Sequence, residues 1–92
     1  MADVVWSDAA LHELVEIRAY IAIFDPAAAG RIVRKLQQAG DSLAHFPRRG
    51  RISANGAREM VTVPPYILCY DILGDMVTIL HIRHGRRRQA TP

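Results

Sequence analysis

The sequence predicts a small α+β domain in which an N-terminal strand and an antiparallel helical hairpin pack on a mainly antiparallel β-sheet. Two amphipathic stretches follow one another with almost no connection, and three β-rich runs come after them. A chain of 92 residues is long enough to bury one core, but too short for a second domain or a large cofactor pocket. We therefore expect one domain over residues 1–92, no cofactor, and a polar tail at 86–92.

The first strand and the first helix are predicted within residues 4–24. Val4–Trp6 form a β-favouring run, and Ser7 or Asp8 then supplies a side-chain oxygen that caps a helix. Apolar residues follow at spacings of three and four, which indicates an amphipathic helix: Leu14, Ile17, Ile21 and Phe24.

A second helix is predicted to begin at Asp25-Pro26. Asp is a good cap, and Pro at the first helical position gives up no hydrogen bond. Its apolar stripe continues to Phe46, through Ala29, Ile32, Leu36, Ala39 and Leu43. The short connection predicts an antiparallel hairpin. Residues 46–57 contain Pro, Gly, Asn and three Arg, so we expect a surface loop there.

Three strands are predicted at about 58–63, 66–73 and 76–84, because these runs are rich in Val, Ile, Tyr and Leu. Gly74-Asp75 predicts a tight hairpin turn. Pro64-Pro65 predicts a turn or bulge, since proline cannot donate a ladder hydrogen bond. Charge is scarce in the last two strands, so we expect the helical hairpin to cover one face of the sheet.

The single cysteine and the histidines do not predict a metal site. Cys69 cannot form an intrachain disulfide, and we interpret it as a buried core thiol. The histidines lack paired spacing with Cys or carboxylates. We expect His12 and His45 to be solvated, and His81 and His84 to point to opposite faces of a strand.

Charge is distributed unevenly along the chain. Residues 1–46 carry four basic and six acidic side chains, whereas residues 47–92 carry eight basic and three acidic ones. This asymmetry predicts that the second half meets nucleic acid or an acidic protein segment. A solvated basic edge that confers solubility remains open as the simpler interpretation. No apolar run is long enough to span a bilayer, and we expect a cytoplasmic protein.

The arginines form two groups in the sequence. The groups are Arg48, Arg49, Arg51 and Arg58, and Arg83, His84, Arg86, Arg87 and Arg88. If the two groups converge at one edge of the sheet, they form a cationic patch. Such a patch positions phosphates and stabilises the charge of phosphodiester cleavage, with His84 as acid or base.

The order of elements, together with local residues, resembles the ParE/RelE superfamily of small bacterial toxins from type II toxin-antitoxin modules. The resembling segments include Trp6-Ser7, Tyr20-Ile21, Tyr66-Ile67-Leu68-Cys69-Tyr70, and the closing strand that leads into His84-Gly85-Arg86. The resemblance implies a compact α+β toxin and an antitoxin encoded beside it, which wraps an extended or helical segment over the toxin. It also implies that the antitoxin, and not this chain alone, binds operator DNA.

The two branches of this superfamily imply different functions. The RelE branch resembles a ribosome-dependent mRNA endoribonuclease, and Arg58, His84 and Arg86 would be a reduced form of its site. No Tyr follows Tyr70, however, and the tail has no Lys. The ParE branch is similar to an inhibitor of DNA gyrase and commonly ends its last strand in a His-Gly-Arg-like sequence. We therefore favour a gyrase inhibitor, with these target- or antitoxin-binding residues: Arg49, Arg51, Arg58, Arg83, His84, Arg86 and Arg87.

Overall fold

A computed structural model describes residues 1–85, which form two α-helices and five strands. The elements in chain order are β1 (Asp3–Trp6), α1 (Asp8–Phe24), α2 (Pro26–Asp41), a 3₁₀ turn (Ser42–Ala44), β2 (Arg51–Ile52), β3 (Arg58–Val63), β4 (Tyr66–Leu73) and β5 (Met76–His84).

The strands form one sheet in the order β1-β5-β4-β3-β2. β1 runs parallel to β5, while the other three neighbouring pairs are antiparallel. The helical hairpin packs on one face of this sheet, where α1 contacts β5 and α2 contacts β3. The other face has no helix of the described residues over it. The predicted fold class is confirmed.

Both predicted helix starts are confirmed by side-chain caps. The Ser7 hydroxyl accepts a hydrogen bond from the Ala10 N–H at 3.0 Å, and the Asp25 carboxylate accepts one from the Ala28 N–H at 3.1 Å. Each cap satisfies a backbone donor that has no partner inside its helix. The two helices are thus separated by a single non-helical residue, Asp25.

The predicted end of the second helix was wrong. α2 ends at Asp41, and its apolar stripe continues only into the 3₁₀ turn, where Leu43 is buried. The Ser42 hydroxyl donates to the Ala39 carbonyl at 2.6 Å, a local bond that competes with the regular helical pattern. Phe46 therefore lies beyond the helix and is exposed rather than part of the stripe.

The three predicted strands are confirmed, but the sequence missed β2. This strand is only two residues long, and it pairs with Arg58 and Glu59 at the start of β3. Two residues are too few to show the alternation of a strand, and both are exposed. Residues 64–65 form a turn that contains a cis peptide bond, and Gly74 has the positive φ of a hairpin turn.

The core lies between the hairpin and the sheet. Its largest fully buried side chain is Tyr70, whose hydroxyl donates to the Pro47 carbonyl and accepts from the Gly50 N–H, both at 2.8 Å. These bonds attach the loop before β2 to the centre of the sheet. The other buried side chains of the cluster are Ala10, Leu14, Leu36, Leu43, Met60, Val63, Leu68, Val77, Ile79 and Ile82.

Neither helix in residues 1–85 combines the length and the apolar composition that crossing a membrane requires.

Gly40 is a close-approach position, and Gly40→Ala is expected to lower the free energy of unfolding by about 1–2 kcal/mol. A Cβ at this position would clash with the Trp6 indole and lie 2.7 Å from Ile79 Cδ1. Gly30→Ala in the same helix is the matched control. A Cβ at Gly30 meets no atom within 4 Å, so this variant should gain roughly 1 kcal/mol of helix propensity. Urea unfolding measures both changes, and equal stabilisation by the two variants would contradict the packing.

Tyr70→Phe is expected to lower the free energy of unfolding by about 1–3 kcal/mol, because it leaves the buried Gly50 N–H without its acceptor. Tyr20→Phe removes the same hydroxyl from an exposed side chain and should leave stability within about 0.5 kcal/mol. Urea unfolding curves compare the two, and an unchanged midpoint for Tyr70→Phe would show that the hydroxyl does not hold the loop.

Candidate functional site

A β-bulge at Leu80 decides which residues of β5 reach the uncovered face of the sheet. Tyr70 pairs with Ile79 and Cys69 pairs with His81, so Leu80 is an extra residue in β5. Val77 and Ile79 face the helices before the bulge, and Ile82 does so after it. Unbroken alternation from Val77 would have turned His81 and Arg83 toward the core. The bulge instead places them on the uncovered face.

Helix α1 supplies a carboxylate to the edge of this region. β1 pairs with β5 only as far as Ile79, so the outer edge of β5 has no strand beyond that residue. Glu13 Oε1 accepts from the Ile82 N–H at 2.7 Å, and Glu13 Oε2 lies 3.5 Å from His81 Nδ1. The Ser7 hydroxyl donates to the Leu80 carbonyl at 2.9 Å. These contacts satisfy the bulged edge and bring Glu13 beside His81.

A second charged pair lies across the strands from the first. Arg83 Nη2 donates to Glu59 Oε2 at 2.8 Å, joining β5 to β3 across β4. Cys69 of β4 lies between them and contacts the Arg83 guanidinium. The two pairs line one open groove, with Ser53 and Asn55 of the β2–β3 loop at its margin. We call it the uncovered-face groove, lined by Glu13, Ser53, Asn55, Glu59, Cys69, His81 and Arg83.

Cys69 is half-buried in the uncovered-face groove, so its assignment to the core was wrong. Its neighbours Leu68 and Tyr70 face the helices, and alternation therefore turns Cys69 to the other side. Burial raises the pKa of the thiol, while the hydrogen bond and charge of Arg83 act in the opposite direction. The thiol is therefore protonated at neutral pH and has little nucleophilic character.

The groove contains groups that transfer protons, but its one arginine is already ion-paired. His81 faces a carboxylate, and Arg83 is bound to another. No group of three or more His, Cys, Asp or Glu among residues 1–85 has the arrangement of a metal site. The arrangement is suited to contact with a polar protein surface, and it leaves little uncompensated positive charge for phosphates.

Three of the predicted site arginines lie near the β2 end of the sheet. Arg49 donates to the Ser42 hydroxyl at 2.9 Å, and Arg51 is exposed on the same face as Glu59. Arg58 is half-buried and donates to the Gly50 carbonyl at 2.7 Å and to the Arg48 carbonyl at 3.3 Å. Arg49 and Arg58 therefore hold the loop before β2.

Within residues 1–85 the two arginine groups meet only at Glu59, which pairs with Arg51 across the strands and is bound by Arg83, whereas Arg58 and His84 lie apart. Arg58 begins β3 and pairs with Tyr70, whereas His84 ends β5 and pairs with Tyr66. These partners are four residues apart on β4, which corresponds to about 13 Å along the strand. Arg83 and His84 also point to opposite faces. His84 packs edge-on against Tyr66, with ring centroids 5.4 Å apart. Arg86, Arg87 and Arg88 lie outside the described residues.

Sequence reasoning missed the carboxylates that organise the groove. Glu13 and Glu59 are far apart in the chain, and neither belongs to a recognisable motif. Alternation around the buried Met60 was the available signal for Glu59, since it places Glu59 opposite the covered face. The predictions that His81 and His84 face opposite sides, and that His12 and His45 are exposed, are confirmed.

Comparison with known proteins gives a consistent family assignment. The family model for the ParE toxin of the type II toxin-antitoxin system parDE matches residues 4–89. Toxin RelE2 of Caulobacter vibrioides is 47% identical over 87 residues, covering 95% of this chain and 99% of that protein. The putative toxin Y4kP of Sinorhizobium fredii is 41% identical over 85 residues, covering 90% of this chain and 88% of that one.

A solved structure shows the same fold. The chromosomal ParDE toxin-antitoxin system from P. aeruginosa contains a chain that superposes with a TM-score of 0.81. The match covers 91% of this chain and 96% of that chain, at 22% sequence identity. At this identity the likeness concerns the fold alone.

The contact of Arg83 with Cys69 predicts a measurable pH dependence. Because burial raises the thiol pKa, alkylation of Cys69 by iodoacetamide should have its midpoint at a higher pH than in the urea-unfolded chain. Arg83→Gln removes a group that lowers this pKa, so the midpoint should move further up. The pH midpoint of alkylation is compared, because the absolute rate of alkylation also depends on how accessible the thiol is to the reagent. A folded-state midpoint at or below that of the unfolded chain would contradict the geometry.

Proposed function

Because the chain belongs to the ParE toxin family of type II toxin-antitoxin modules, we propose that it acts in the cytoplasm by binding DNA gyrase and blocking replication. Membership of this family implies an antitoxin partner. We further propose that operator DNA is bound by the antitoxin rather than by this chain. The toxin is then a protein that traps another enzyme and has no catalytic centre of its own.

The observation that carries this proposal is the separation of Arg58 from His84. An endoribonuclease of the RelE type would need these residues close enough to contact one phosphodiester. β3 and β5 run in the same direction. Arg58 is the first residue of β3 and His84 is the last residue of β5, so the two side chains lie at opposite ends of the sheet. Arg58 also donates to two backbone carbonyls of the loop before β2. A single phosphate does not reach both side chains.

The charge of the uncovered-face groove supports the same proposal. Stabilising the transition state of RNA cleavage requires cationic donors directed at the phosphate. Arg83 already donates to Glu59, and Glu13 lies beside His81. The Glu13 carboxylate is not neutralised by an arginine, and its charge disfavours RNA more than it disfavours a polar protein surface.

An mRNA endoribonuclease is the second candidate. The 47% identical relative carries the name Toxin RelE2, and the groove places the His81 imidazole 3.5 Å from a carboxylate. An imidazole beside a carboxylate is a common general acid-base arrangement. In this second candidate His81 would move the proton, and the Glu59–Arg83 pair would have to open for a phosphate to bind.

Pulse labelling in one bacterial culture separates the two candidates. After induction of this gene alone, we expect thymidine incorporation to stop before leucine incorporation, because gyrase inhibition blocks replication first. In vitro, the purified toxin should inhibit the supercoiling activity of gyrase. Leucine incorporation that stops first would contradict the proposal and favour the nuclease. If growth continued without any arrest, both the gyrase inhibitor and the endoribonuclease would be excluded, and the chain would be an adaptor protein.

His81→Ala serves as the discriminating variant in the same experiment. The side chain is exposed, so its removal should leave the fold intact. If the protein is a gyrase inhibitor, the variant should still stop thymidine incorporation first. The rate at which incorporation declines should stay within about threefold of that caused by the unchanged protein. For a nuclease that uses His81 as acid or base, arrest should weaken by about 100-fold or more.

A further inference from the structure

The outer side of helix α2 carries positive charge that the fold does not use. Arg31, Arg34 and Lys35 lie within about one helical turn of one another and are exposed. The amide side chains of Gln37 and Gln38 are exposed on the same outer side. All five positions lie away from the stripe of α2 that is buried against the sheet. We call these five residues the basic side of α2.

No carboxylate within α2 balances this charge before the last residue of the helix. Residues 26–40 contain neither Asp nor Glu. Asp41 ends the helix, and its carboxylate accepts a hydrogen bond from the Trp6 indole at 3.3 Å. Among residues 1–85, no ion pair involves a basic residue of α2. The three cationic groups therefore retain their full charge toward the solvent.

Several arginines in the second half of the chain are less available. Arg49 donates to the Ser42 hydroxyl, Arg58 donates to backbone carbonyls, and Arg83 donates to Glu59. A guanidinium bound in this way contributes less to the field outside the protein. Charge counted along the sequence predicts the cationic surface within residues 47–92. The contacts instead leave three neighbouring, uncompensated charges on α2.

The composition of the basic side of α2 favours a nucleic-acid backbone over a protein surface. Protein interfaces depend on buried aromatic or aliphatic anchors, and none of its five residues is of that kind. Arg, Lys and Gln donate hydrogen bonds to phosphate oxygens, and protein–DNA interfaces are polar and positively charged. The outer side of α1 differs in this respect, because Tyr20, Ile23 and Phe24 are exposed there.

The same composition favours a duplex over a single strand. Proteins that bind single-stranded nucleic acid stack its bases on aromatic side chains, and the basic side of α2 has no aromatic residue. Arg31 and Lys35 are separated by about 6 Å along the helix axis. A duplex carries one phosphate charge per ~1.7 Å of its own axis, so neighbouring phosphates of one backbone lie within reach of both side chains.

We propose that the basic side of α2 binds the phosphate backbone of the DNA duplex on which gyrase acts. A phosphate contact carries no sequence information, so it is distinct from operator recognition. The proposal rests on the proposed function, because gyrase brings the DNA to the toxin. Contacts with both gyrase and its DNA hold the toxin more tightly than a contact with gyrase alone.

Binding to a short labelled duplex, measured by fluorescence anisotropy at several salt concentrations, tests this surface without gyrase. The logarithm of the binding constant should fall with the logarithm of the salt concentration, with a slope of about −2.7 for three phosphate contacts. The double variant Arg31→Gln/Lys35→Gln should make this slope less steep by about 2. Gln is a good helix former, so α2 should be retained, as circular dichroism checks.

The double variant Arg18→Gln/Arg48→Gln is the matched control. It removes the same amount of charge from two exposed arginines outside α2. Its slope should differ from that of the unaltered toxin by less than about 0.5, because neither residue contacts the duplex. Arg31→Lys keeps the charge on α2 and should keep the slope as well.

A second measurement includes gyrase. The affinity of the toxin is compared for gyrase alone and for gyrase bound to a duplex. Unaltered toxin should bind the DNA-bound enzyme more tightly by about tenfold or more. Arg31→Gln/Lys35→Gln should lose this gain, while its affinity for gyrase without DNA should stay within about twofold.

Three results would overturn the assignment. The first is duplex binding that depends equally on salt in the α2 variant, the control and the unaltered toxin. The second is tighter binding of the unaltered toxin to single-stranded RNA than to the duplex. The third is a loss of affinity for gyrase without DNA in the α2 variant, which would assign the surface to a protein contact.

The two measurements also separate this proposal from the proposed function. If the unaltered toxin bound no gyrase at all, the proposed function would fail, and with it the source of the DNA. The salt dependence of duplex binding would still decide whether the basic side of α2 contacts phosphates.

Discussion

The hairpin covers one face of the sheet only, and most features of this protein follow from that constraint. Each strand residue faces either the helices or the uncovered side. Residues that face the helices have to be suited to burial, whereas those on the uncovered side can be polar or charged. Leu68 and Tyr70 are buried under the helices, whereas Cys69 between them lines the groove on the other side. Within β5 the bulge at Leu80 shifts this alternation by one residue, which allows the strand to supply Ile79 to the core and His81 to the groove.

Each side of helix α1 makes different contacts. Its inner side fills the core, and Glu13 with the preceding Ser7 satisfies the outer edge of β5 where β1 has ended. An open strand edge is a site for unwanted pairing, so this coverage protects the sheet. The remaining side exposes Tyr20, Ile23 and Phe24, whereas the outer side of α2 is charged or amide-bearing.

The three-dimensional structure also changes how the basic second half of the sequence is interpreted. Taken as a sequence, its arginines predict a cationic surface for a polyanion. In residues 1–85, however, several of these guanidinium groups serve the fold. Arg49 and Arg58 hold the loop before β2, and Arg83 connects β5 to Glu59. Net charge counts such groups in full, although an ion-paired or carbonyl-bound guanidinium contributes much less to the field outside the protein.

The sequence by itself determined the helices, the three long strands and the family, because caps, turn residues and periodicity act over a few neighbouring positions. Ser7, Asp25-Pro26 and Gly74-Asp75 each specify local geometry in this way. Only the tertiary structure decided the two-residue β2, the position of Cys69 and the pairs Glu13–His81 and Glu59–Arg83. These depend on a bulge and on strand register, which join residues up to 73 positions apart along the chain. Local patterns do not encode such pairings, since register is fixed by packing against the helices.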